Sequence, residues 1–408
     1  MNTKIRLTLM NFLQYAVWGA WLISLGAYLG NTLKFDGLQI GSFFATMGIA
    51  SLFMPAVMGI IADRWIPAQR LLGLCHLFAA GFITLAATRT DYNSLYTLVL
   101  LSVMFYMPTI ALSNSVAYNA LEKAGLDTVT HFPPIRVWGT VGFICAMWVY
   151  KNVNKVQIKK QLYFSATLGL ILGLYSFTLP NCPINRSGGG KSIVDLLGLR
   201  AFALFKQRKM AIFFIFSMLL GMSLQITNAF ADGYIKSFGD TGIHGAKYLG
   251  TFGVEHSTIL ISLSQISETL CILLIPFFLK RFGIKRVMLI AMFAWVLRFA
   301  LLGAGNPGPG VWMFILSMIV YGVAFDFFNI SGSLFVEKET SAAIRSSAQG
   351  VFMIMTNGLG ALIGSYLAGW VVNHYGWPLS WYLFAGFSLV VAIVFAVIFK
   401  YKHDPNRI

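Results

Sequence analysis

Charge is scarce in this chain. Of its 408 residues only 11% are Asp, Glu, Lys or Arg, and fourteen are acidic. A water-soluble chain of this length carries roughly a quarter, so this surface is solvated by lipid. The 57% hydrophobic content and the mean hydropathy of +0.73 agree. Cysteine is nearly absent: Cys75, Cys145, Cys182 and Cys271 are scattered, with no C-x-x-C pair. Neither a zinc site nor a disulfide framework is indicated; no metal and no cofactor are expected. Catalytic signatures are missing as well. There is no H-E-x-x-H and no G-x-S-x-G, and "GMSLQ" (221–225) departs from the latter at its last position, so the chain does not read as an enzyme. "RSGGGK" (186–191) lacks the spacing of a phosphate-binding loop and follows no strand, so it reads as linker.

What the chain has instead is long apolar runs. Twelve are long enough to span a bilayer, at about 7–30, 38–61, 71–88, 95–118, 134–151, 161–180, 210–235, 256–279, 286–305, 311–335, 346–372 and 378–400. Each is close to the ~20 residues that cross ~30 Å of hydrocarbon as a helix. Barrel strands are about half that length and alternate polar with apolar. The expected fold is therefore an all-α polytopic membrane protein of twelve transmembrane helices. The first run is too long for a signal peptide and lacks a small-x-small exit, so it reads as a retained helix. The net charge of +16 has a topological explanation. With the N-terminus inside, twenty of the 30 Lys and Arg fall in cytoplasmic segments and eight in the opposite loops, leaving Arg136 and Arg298 within helices. This positive-inside bias places both termini in the cytoplasm. A nucleic-acid surface would not be divided loop by loop.

The longest polar interruption, 181–209, divides the spans six and six. The expected units are an N-terminal bundle over 1–180, a cytoplasmic linker over 181–209 and a C-terminal bundle over 210–408. The halves also echo one another. "MGIIADRWIPAQRLL" (58–72) follows the second helix and "IPFFLKRFGIKRVML" (275–289) the eighth. These basic loops resemble the loop signature of the major facilitator superfamily, although Ile66 replaces the usual Gly in the first copy and Lys280 the acid in the second. Repeats with a binding site between them are how such transporters are built.

Only Glu268 and Asp326 among the acids sit deep within a run, where a carboxylate costs roughly 2.5–3.5 kcal/mol on insertion scales. The deep basic residues are Arg298 and, nearer its cytoplasmic end, Arg136. At ~1.5 Å per residue, Gln225, Asn228, Gln265, Glu268, Arg298 and Asp326 all lie about 16–27 Å from the cytoplasmic helix ends. The i, i+3 pairs Gln225/Asn228, Gln265/Glu268 and Asp326/Asn329 each share one helix face. Tyr321, Phe325, Phe327, Phe328 and Phe143 lie beside them. A single amide in a membrane helix is often only glue between helices, at ~0.6 kcal/mol per contact. Four amides and two acids in one layer favour a polar cavity. Such a layer suits a neutral, hydroxylated, aromatic solute; nothing clusters Lys or Arg as a phosphate would demand. On these grounds a nucleoside fits, and a sugar nearly as well.

Four stretches carry a closer match: "FPPIRVWGTVGFICAMWV" (132–149), "FFIFSMLLGMSLQITNAF" (213–230), "SQISETLCILLIPFFL" (264–279) and "YGVAFDFFNISGSLFVEKE" (321–339). So do "FLQYAVWGAWL" (12–22) and "LKFDGLQIG" (33–41). Together they strongly resemble the bacterial nucleoside:proton symporters of the major facilitator superfamily, from the N-terminus to about Tyr401. The resemblance implies a monomer of the bacterial cytoplasmic membrane, embedded in the lipid bilayer, whose partners are a nucleoside such as uridine and a proton. It implies that Arg136, Thr140, Phe143, Gln225, Asn228, Gln265, Glu268, Tyr321, Phe325 and Asp326 match the family's nucleoside site. Import by alternating access is expected, with Asp326 carrying the coupling proton. Equal depth on adjacent helices further predicts that Arg298 meets Asp326 in one state and loses it in the other. A proton-coupled sugar symporter and a passive nucleoside facilitator remain the alternatives at this point.

Overall fold

The computed structural model describes residues 2–151, 159–182, 199–240, 247–340 and 345–401. Twelve apolar helices run through them. In chain order they are α1 (Thr3–Thr32), α2 (Gly37–Arg64), α3 (Ala68–Ala86), α4 (Tyr92–Lys123), α5 (Thr128–Lys151) and α6 (Lys159–Ser176). The second six are α7 (Arg208–Ser237), α8 (257–282), α9 (284–304), α10 (Val311–Glu339), α11 (345–375) and α12 (Leu379–Ile398). Hydropathy located every one, with α5 starting about six residues before its apolar run. Of the expected linker, 183–198 lies outside the described residues, and Leu199–Lys206 winds into a 3-10 turn.

The helices are apolar all round, as lipid-solvated helices are. Leu273, Phe277, Val390 and Val397 are exposed, whereas Asn11, Gln14, Ser113, Ser217 and Ser365 are buried. Polar groups inside a lipid-solvated protein glue helices together, and small residues let backbones approach.

The chain divides into two compact units. One comprises Met1–Leu25 with Thr46–Leu197, the other Gly26–Ala45 with Gly198–Ile408. In the first, Leu7, Met10, Leu72, Val116, Leu121 and Leu172 form a core from α1, α3, α4 and α6. Its α1 and α5 touch backbone to backbone: a Cβ on Gly19 would come within 2.3 Å of the Phe143 carbonyl, and one on Gly142 within 2.1 Å of the Phe12 carbonyl. The second unit repeats this contact between α7 and α11, where Gly221 lies against Thr356 and Gly364 against Met222. The 26–45 segment packs with the second unit the same way, Gly26 on Ala229 and Gly41 on Ser365.

Several local departures from regular helix interrupt the pattern, among them a turn at Ala20–Trp21 within α1. α1 ends in a π-helical turn over Tyr28–Thr32, and α11 contains another over Ile354–Gly360. Another separates α8 from α9. There is no loop there; the chain reverses at Gly283, whose φ of 75° and ψ of 166° suit glycine alone. The matching turn after α2 needs no such residue. Trp65 and Ile66 both donate backbone N–H groups to the Ile61 carbonyl, and Pro67 starts α3. This is why Ile66 is tolerated where the superfamily signature has glycine.

Candidate functional site

In the second unit α8 and α10 set the geometry. Gly322 of α10 lies against Ser267 of α8, so closely that a Cβ on Gly322 would come within 2.5 Å of the Ser267 carbonyl. The Ser267 hydroxyl donates to the Ile319 carbonyl. One residue further along α8 and one turn further along α10, this contact sets Glu268 and Asp326 within reach of each other's charge. Tyr321 is within electrostatic reach of both. Its ring stacks on Phe325 at 5.7 Å and 11°, and meets Trp295 edge-on at 6.0 Å.

Arg298, 1% exposed on α9, supports this cluster from behind. Its guanidinium lies 4.6 Å from the Tyr321 ring centroid. It donates to the Ser317 carbonyl at 2.6 Å and to the Ser264 hydroxyl at 3.5 Å, while the Ser317 hydroxyl donates back to the Arg298 carbonyl at 3.0 Å. Ion pairs among the described residues include Lys209–Glu339 and Lys236–Asp232. The Arg298–Asp326 pair, expected in one state of the cycle and lost in the other, is not formed in this structure, where Arg298 meets Tyr321, Ser317 and Ser264 instead.

Gln225 on α7 and Gln265 on α8 are both buried, and Asn228 and Glu268 half-buried. The side-chain carbonyls of Gln225 and Gln265 and one carboxylate oxygen of Asp326 have no hydrogen-bond partner among the described residues. A buried acceptor left so costs about 1–3 kcal/mol, and its presence in a native site calls for a ligand or water.

In the first unit α5 carries Arg136, Thr140 and Phe143, and α1 holds that helix in place. The Arg136 guanidinium stands 3.9 Å from the Tyr15 ring centroid, a distance suited to a cation–π contact. Gly139 makes the room: a Cβ there would meet the Tyr15 ring at 2.6 Å and the Arg136 guanidinium at 2.8 Å. Phe143 is buried; Arg136 and Thr140 are half-buried.

Two polar clusters went unread in the sequence. Asp232, near the end of α7, is 2% exposed; it accepts from Lys236 and from Ser257 of α8, each at 2.6 Å. Its i, i+4 lysine was the available signal. The other joins Gln14, His76, Tyr106 and Thr109 across α1, α3 and α4. These residues are scattered over three helices, so only tertiary packing reveals the group.

With this geometry the comparison with known proteins is decisive. A sequence profile described as "Nucleoside H+ symporter" matches residues 1–404. The chain belongs to the nucleoside H+ symporter family. It is a transporter of the major facilitator fold and not an enzyme. This symporter is 50% identical to the nucleoside permease NupG of Escherichia coli K12, over 99% of this chain and 97% of that one. It is 49% identical to the xanthosine permease of the same organism, over 100% and 98% of the two chains. A crystal structure of the nucleoside transporter NupG superposes with a TM-score of 0.90 at 50% identity, covering 98% of this chain and 100% of that one. The D-xylose–proton symporter, at 13% identity and a TM-score of 0.75, shares the fold alone.

Proposed function

We propose that this symporter imports nucleosides by alternating access and that its substrate contacts are the residues named above. The observation that carries the reading is the set of buried acceptors on α7, α8 and α10, which lack partners among the described residues and accompany a stacked Tyr321–Phe325 pair. Side-chain amides offer donor and acceptor together, as a base edge or a ribose hydroxyl requires. Gln225, Asn228 and Gln265 serve base and ribose, and Glu268 accepts from ribose hydroxyls. Tyr321 and Phe325 present aromatic faces to the base. In the first unit, Arg136, Thr140 and Phe143 are the substrate contacts.

Asp326 carries the coupling proton. Two neighbouring carboxyls in a desolvated site are accommodated with one proton between them, and Glu268 is the neighbour. Glu268 then keeps its charge for the ribose while Asp326 is protonated. Arg298 contributes to the proton step through Tyr321, whose environment includes both carboxyls. The protein works as a monomer in the bacterial cytoplasmic membrane, with both termini cytoplasmic.

The test is uptake of radiolabelled uridine into proteoliposomes, with and without an inward proton gradient. Wild type accumulates uridine only with the gradient. Asp326→Asn loses accumulation and keeps counterflow exchange. Equilibration without accumulation in wild type identifies a facilitator, and transport of sugar without competition by uridine would sink the nucleoside reading.

A further inference from the structure

The buried polar group of the first unit makes no hydrogen bond to a proposed substrate residue among the described residues, yet the direction of its hydrogen bonds follows from their chemistry, with the His76 Nδ1 left without a partner among the described residues. Tyr106 donates its hydroxyl to the Gln14 backbone carbonyl at 2.7 Å. Thr109 donates its hydroxyl to the Tyr106 carbonyl. A carbonyl only accepts, so the Thr109 proton is committed and its oxygen must accept from the Gln14 amide nitrogen, 2.7 Å away. The Gln14 side-chain oxygen therefore faces His76, and at 2.8 Å the His76 Nε2 carries the hydrogen. Gln14 and His76 are both 0% exposed, so both bonds lie away from bulk solvent. The His76 ring also meets Tyr106 edge-on at 5.9 Å.

Gln14 is adjacent in sequence to Tyr15. Neighbours on a helix diverge by about 100°, so α1 uses Gln14 to grip α3 and α4 and Tyr15 to meet α5. We infer that His76 and Gln14 are positioning residues for Arg136: their hydrogen bonds fix the rotation of α1, and that rotation sets where the Tyr15 ring meets the guanidinium. The inference rests on Arg136 being a substrate residue. The clearance is small, because Gly139 leaves no spare space beside Tyr15 and Arg136. A turn of α1 that relieved an unpaired Gln14 would move the ring directly against or away from its partner.

The experiment is uridine uptake kinetics on four variants, with protein amount measured in the membrane. His76→Phe keeps the aromatic volume and removes the Nε2 donor. It is expected to raise KM roughly ten-fold, the scale of one buried hydrogen bond, with Vmax per transporter nearly unchanged. His76→Gln places an amide nitrogen where Nε2 stood and restores KM to near the wild-type value. Arg136→Gln raises KM by itself, and adding His76→Phe to it raises KM little further, the non-additivity of residues acting through one contact. If His76→Phe does not accumulate, Thr109→Val removes the acceptor for the Gln14 amide at constant shape and must give the same KM shift. A wild-type KM in His76→Phe or in Thr109→Val, or a full KM shift in the Arg136→Gln background, overturns the inference. A wild-type KM in Arg136→Gln alone would instead remove Arg136 from the substrate site.

Discussion

The guanidinium of Arg298 needs both an aromatic face and oxygen acceptors, and it finds Tyr321, Ser317 and Ser264. Lysine is a compact point charge and cannot stack and fork at once. Arg298→Lys is expected to cost about 1–3 kcal/mol, the penalty for leaving a buried acceptor unpaired, read as a lowered melting temperature in detergent. It should also raise the KM for uridine, because Tyr321 loses its support; a melting temperature and KM both at wild-type values would refute this role. Depth and chemistry singled out Arg298 in the sequence; its contacts with Tyr321, Ser317 and Ser264 depend on the direction in which α9 presents it. The amides and carboxyls of Gln225, Gln265, Glu268 and Asp326 were legible because a polar group in an apolar run is costly wherever it points.

At the scale of the helix, glycines divide into those that fill a seam and those that do not. Gly142→Ala would drive a methyl group into the Phe12 carbonyl, so α1 and α5 must separate, at a cost of roughly 1–3 kcal/mol. Gly169→Ala on α6 meets the Ala80 methyl at 3.4 Å and the His76 carbonyl at 3.7 Å, both ordinary contacts. It also borders a small cavity beside His76, Ser102 and Ser165, with room for about one water. Gly169→Ala is expected to stabilise by about 0.4–1 kcal/mol through lost unfolded-state freedom. Thermal melts of both variants decide the matter: a higher melting temperature for Gly142→Ala than for Gly169→Ala would refute the seam. Gly283→Ala forces a side chain onto a backbone conformation that disfavours it, and about 1–3 kcal/mol of strain should appear as lower yield and melting temperature. The π-helical turns in α1 and α11 were invisible in the sequence, since one extra residue per turn hardly alters an all-apolar pattern.

For the whole molecule, hydropathy was enough to find the twelve apolar helices of the described residues, because backbone groups in lipid have no partner outside the segment. The repeat of basic loops after α2 and α8 was legible in the sequence; that α1–α5 and α7–α11 repeat the same glycine-backed contact emerged only from the structure. Charge distribution remains the best guide to orientation. A fluorescent protein fused after Tyr401 should fold and glow, and alkaline phosphatase fused there should be inactive. The reverse pair of results would invert the topology and with it the direction assigned to import.

Those glycine-backed seams have a mechanical consequence. Two backbones in contact have no rotamers between them to melt and almost no free volume to compress. Each seam is therefore stiff, while interfaces filled by Phe, Met and Leu can yield by exchanging rotamers. A force applied to α1 reaches α5 with little damping, and one applied to α7 reaches α11 likewise. The compliance that lets each half change shape must reside in the other helices.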